Sequence, residues 1–236
     1  MLAAVLLATT LVGPTLAGGQ GGGGGGGGGG GPGGNTQIGK TKKTPDPSCP
    51  KDPCQAIGSV TGFQVNAGKE EKNLFAAPED GEIVAWRVDL SRPKQSQQKF
   101  FGKFYEEEEL GTVPAARIAV LKPAEQKAAP SYTLQAQSPV VDLTEDLGTK
   151  PKYTLQEPLP ISKGEIAALT VPTWIPNFAV DLSHKNVWRA SRERGACENA
   201  DDIKDGEPHQ HAGSERVYGC TYREARILYW AYFVPS

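Results

Sequence analysis

From residue 60 onward, apolar and polar residues alternate in short runs, and helical spacing of apolar positions is nearly absent. The cleanest run is 82–90, with Val84, Trp86, Val88 and Leu90 on one face and Ile83, Ala85, Arg87 and Asp89 on the other, as in a half-buried strand. It follows Asp80-Gly81, a hairpin-turn dipeptide because glycine accepts the positive φ required there. Runs 60–65, 117–121, 132–136, 152–155 and 187–190 predict further strands. Runs 165–171 and 225–234 are apolar or small on both faces and predict interior strands, the last one central and paired on both sides. Residues 99–105, with Phe100, Phe101, Phe104 and Tyr105, fit either a strand or one helical turn.

About ten such strands separated by polar turns, with no crossover helices, predict an all-β fold: a two-sheet antiparallel β-sandwich, jelly-roll-like. An immunoglobulin-like sandwich is the alternative, but Trp86 does not lie between a suitable pair of inter-sheet cysteines.

What precedes the strands differs in kind. Residues 1–12 are apolar and are followed by Gly13, Pro14 and Thr15-Leu16-Ala17, the order of a signal peptide cleaved after Ala17. A dozen apolar residues fall short of the ~20 that span a bilayer as a helix, and no later run is longer, so no membrane span is expected. Residues 18–48 form a Gly-rich segment with an unbroken glycine run from Gly21 to Gly31, expected to be a disordered tether because glycine loses most entropy on ordering and buries nothing. The folded domain is expected to be 49–236, secreted or held in the cell envelope.

All four cysteines, Cys49, Cys54, Cys197 and Cys220, follow the export signal, and an even count there reads as two disulfides. Cys49 with Cys54 and Cys197 with Cys220 are the expected local bridges among three possible pairings. A zinc site is disfavoured, since no Cys-x-x-Cys pair is present. A net charge of −2 gives no basic footprint and argues against nucleic acid as a partner.

Segments 158–164, 168–174, 188–192, 218–222 and 225–229 resemble uncharacterised secreted β-sandwich proteins of soil bacteria. The resemblance implies an exported sandwich and carries no catalytic residue with it.

Candidate chemistry is sparse. His209 and His211, one residue apart and followed by Glu215, would form a metal triad on a strand, similar to the first cupin motif, but their neighbours read as loop and no second motif follows. A hydrophilic loop inside the Cys197–Cys220 bridge is favoured, and no cofactor is implied. Ser183, Ser191, His184 and Asp181 lack a Gly-x-Ser-x-Gly elbow. Trp174 is flanked by Pro172 and Pro176, which would stiffen a loop and hold an indole in the open. With Trp188, Arg189, Arg192 and Asn177 as a polar rim, it suggests a stacking platform for an extracellular glycan. A non-enzymatic binding module is therefore the leading expectation, with a structural surface protein or a metal-dependent enzyme as alternatives.

Overall fold

The computed structural model describes residues 36–69, 71–125 and 129–236. The expected signal peptide and glycine run lie outside these residues. In chain order the strands are β1 (Thr36–Ile38), β2 (Ile57–Ala67) and β3 (Gly81–Val88), followed by helix α1 (Gln95–Phe104). Then come β4 (Ala115–Pro123), β5 (Ser131–Gln137), β6 (Val141–Asp142), β7 (Lys152–Ile161) and β8 (Ile166–Ile175). The chain ends with β9 (Phe178–Ala179), β10 (Asn186–Ala190), helix α2 (Ala200–Lys204), β11 (Glu215–Val217), β12 (Cys220–Arg223), β13 (Arg226–Ile227) and β14 (Tyr229–Pro235).

These strands build the expected antiparallel sandwich from sheets of unequal size. The smaller runs β1-β14-β3-β7 and the larger β11-β5-β4-β8-β2-β10-β12, with β6 also paired to β4. Strands β9 and β13 form a separate two-stranded ribbon. Between the sheets, Ile83, Trp86, Val88 and Phe233 pack in one core with Val60, Ile118, Leu169 and Val171. Tyr229 ties the layers: its ring stacks on Phe75 at 4.4 Å and its hydroxyl donates to Ala167 O of β8 at 2.9 Å.

Several sequence expectations hold in detail. β14 is paired on both sides, with β1 and β3, and both disulfides join the expected partners, Cys49–Cys54 and Cys197–Cys220. Other expectations are corrected. Residues 36–48 are not all tether, because β1 pairs with β14 and Ile38 enters the core at 3% exposure. Just beyond it Thr41 Oγ1 accepts a bond from the Arg226 guanidinium at 2.9 Å. Of residues 99–105, left open between a strand and one helical turn, 99–104 close a helix of ten residues and Tyr105 is its C-cap. The alternation of 82–90 slips at a bulge, so Ile83 faces the core along with Trp86 and Val88.

Candidate ligand-binding cleft

Helix α1 shapes the site. Its first turns are Gln, Ser and Lys, all tolerated in a helix, and Gln97 Oε1 accepts the Lys94 amide at 2.7 Å to close the N-terminus. Its apolar residues fall at 100, 101 and 104, one stripe of a helical surface. Phe101 enters a small core with Cys49, Tyr105, Leu147 and Trp174, whereas Phe100 is 61% exposed, the one large hydrophobic residue so exposed among the described residues.

Beside this stripe lies a cleft of about 570 Å³. Phe100, Phe104 and Tyr105 line it from α1 and its C-cap; Phe178 of β9, Trp188 of β10 and Tyr222 of β12 line it from the strands. Trp188 stacks on Tyr222 at 4.5 Å, and Phe178 meets Trp188 edge-on at 5.5 Å. Gly58 contributes by having no side chain: a Cβ there would lie 2.6 Å from the Tyr105 ring and closer still to Thr173 O. The Cys197–Cys220 bridge holds the remaining edge, where Tyr222 donates its hydroxyl to Cys197 O at 2.8 Å.

Polar groups are few. Arg192, 6% exposed, donates from Nη2 to Gly58 O at 2.8 Å and from Nη1 to Tyr222 Oη at 3.3 Å. Burial pushes the Tyr105 phenol above its ordinary range, with Arg192 opposing that shift; at neutral pH Tyr105 stays protonated and can act as a hydrogen-bond donor. Asp181 and Glu224 line the cleft in the left-handed backbone region, with φ of 58° and 62°. Non-glycine residues held there mark places where the surrounding structure enforces an unfavourable conformation, as functional sites often do.

No protein-family profile, curated protein or solved structure matches this chain.

The structure separates the residues expected to form a glycan platform. Trp174 is 2% exposed, because β8 continues past Pro172 to Ile175 instead of giving way to a loop. The proline is accommodated where the β2–β8 register slips, Gly58 facing Trp174 and Val60 facing Val171, so its missing amide breaks no ladder bond there. Trp174 packs on Phe101 at 5.4 Å and donates Nε1–H to Thr112 O at 2.9 Å. Asn177 is fully buried, and its backbone carbonyl accepts the Leu228 amide. Arg189 points away from its neighbour Trp188 and donates to Tyr132 Oη at 3.4 Å. Of the five, Trp188 and Arg192 line the cleft.

The histidine pair is likewise divided. His209 is 1% exposed with both ring nitrogens engaged: Nε2–H donates to Ser214 O at 3.0 Å, which leaves Nδ1 to accept from Tyr218 Oη at 3.2 Å. His211 is exposed, so the two do not share a side. Among the described residues no group of three or more His, Cys, Asp or Glu side chains is arranged to hold a metal ion, and no helix is long and apolar enough to cross a membrane.

The sequence pattern points to Trp188 and Arg192 but does not single out Phe100, which lines the same cleft. The available signal was the helical spacing of residues 100, 101 and 104 behind a polar start, obscured by the strand-like look of four aromatic residues within six positions.

Proposed function

We propose that this protein is a non-enzymatic binding module that acts outside the cytosol and takes a small molecule with a flat apolar ring into the cleft beside α1. Phe100 carries the reading. Its ring, 61% exposed, does not stand alone but continues the aromatic lining of Phe104, Tyr105, Phe178, Trp188 and Tyr222, and a contiguous apolar surface of that kind marks an interaction site. A concave, mainly aromatic surface with a few convergent polar groups is the usual form of a small-ligand site. Two disulfides support a place in an oxidising compartment. A protonated Tyr105 suits hydrogen bonding better than proton abstraction. The interior position of Trp174 removes the stacking platform on which glycan recognition rested.

Phenylnaphthylamine, a neutral probe that fluoresces in apolar surroundings, tests the proposal. The intact protein should bind one equivalent, and Phe100→Ala should weaken binding about tenfold, the scale of one lost aromatic contact. Because Phe100 is exposed, that variant should melt at nearly the wild-type temperature. Equal affinity in the two proteins would sink the proposal.

A further inference from the structure

Arg192 has a feature that ring binding leaves unused. A guanidinium offers five N–H donors and keeps its charge in any protein environment. At 6% exposure, Arg192 spends one on Gly58 O and one on Tyr222 Oη, both neutral, and its Nε has no partner. Ion pairs among the described residues join Lys150 to Asp89, Lys204 to Asp205 and Arg216 to Glu207; none reaches Arg192. A buried cation without a counter-ion is costly, and an anion that completes its donor set removes the cost. Trp188, 4% exposed in the same cleft, also has an indole N–H without an acceptor.

Asp181, Glu198 and Glu224 line the cleft too, partly balanced by Arg223. All four are exposed, so water and salt screen them. At equal distance a charge beside a buried guanidinium feels a field roughly four times stronger than beside one in water. Of the two guanidiniums in the cleft lining, Arg192 is therefore the one shielded from that screening.

We propose that the ligand is a small organic acid, its ring against Phe100 and Phe104 and its carboxylate on Arg192. The proposal rests on the ring-binding reading and adds the ligand's charge and the residue that selects it.

Two fluorescent probes with one ring system separate the claims: phenylnaphthylamine, which is neutral, and anilinonaphthalene sulfonate, which carries an anion in the carboxylate's place. The wild-type protein should bind the sulfonate at least about tenfold more tightly than the neutral probe, and rising salt should narrow the gap. Arg192→Gln should abolish the preference, the two probes then binding with equal affinity, and Arg192→Lys should restore part of it. Wild-type protein that binds both probes equally, or the neutral one better, overturns the anion assignment and leaves ring binding standing. So does a folded Arg192→Gln protein that keeps the preference. If neither probe binds, the ring-binding reading falls and this inference with it. The wild-type comparison needs no variant, so the test survives a failure of Arg192→Gln to fold.

Discussion

His209 shows how a residue that looks catalytic in sequence can be structural. Its backbone amide donates to Thr61 Oγ1 at 2.9 Å and its ring bridges Tyr218 and Ser214, which fixes the segment around it onto β2. Burial holds the imidazole below its ordinary range, with Arg216 and His211 adding to the effect and the Ser214 carbonyl opposing it. The unfolded chain then takes up a proton at higher pH than the folded one, so stability is complete above about pH 6.5 and declines as pH falls through that value toward the lower folded pKa. Melting temperature should drop as pH falls below about 6.5, and His209→Gln should reduce that drop; an identical pH profile in the variant would show that His209 plays no part in it. Trp174 teaches the complementary lesson. Its flanking prolines read as a loop because sequence cannot show a bulge that excuses a missing amide, whereas Trp86, set in unbroken alternation, was legible as core and is fully buried. Trp174→Ala should cost about 3 kcal/mol or more, the scale of an emptied aromatic site, and Trp174→Phe about 1 kcal/mol for the lost bond to Thr112, both measurable by urea denaturation.

Among elements, the strands were the more legible. β3 was visible from period-two patterning, β8 and β14 from runs apolar or small on both faces, and β14 pairs as expected. The helix was not: α1 is a ten-residue amphipathic helix in a β context, and its packing against Trp174 and Leu147 depends on residues distant in the chain. β1 escaped notice because three residues carry no period, and its strand state comes from the pairing offered by β14. The disulfides were legible from an even cysteine count and local spacing, but not their bearing on the cleft. The Cys197–Cys220 bridge closes a loop with a sequence separation of 23 and the Cys49–Cys54 bridge one of 5, so chain entropy assigns them about 3 and about 2 kcal/mol. Cys197→Ser with Cys220→Ser should therefore destabilise more than Cys49→Ser with Cys54→Ser. It should also weaken probe binding, because Tyr222 is anchored on Cys197 O; undiminished binding in a folded variant would show that the bridge does not shape the site.

For the molecule as a whole, the sandwich class follows from alternation and turns, which are local, while the cleft arises where α1, β10, β12 and the bridge-closed loop meet, which no local pattern encodes. The folded unit also begins earlier than its first cysteine. A chain starting at Lys42 should melt several degrees below one starting at Asn35, since it lacks Ile38 in the core and the Thr41 contact with Arg226; equal melting temperatures would make β1 dispensable. The claim on which the functional account turns is that the aromatic cleft beside α1 is where this protein binds. Backbone amide NMR during titration with phenylnaphthylamine tests it most directly. The account predicts saturable shifts concentrated at residues 98–105, 54–58 and 222–225. Shifts confined to another surface, such as the face of the smaller sheet carrying Trp230 and Tyr232, would contradict it.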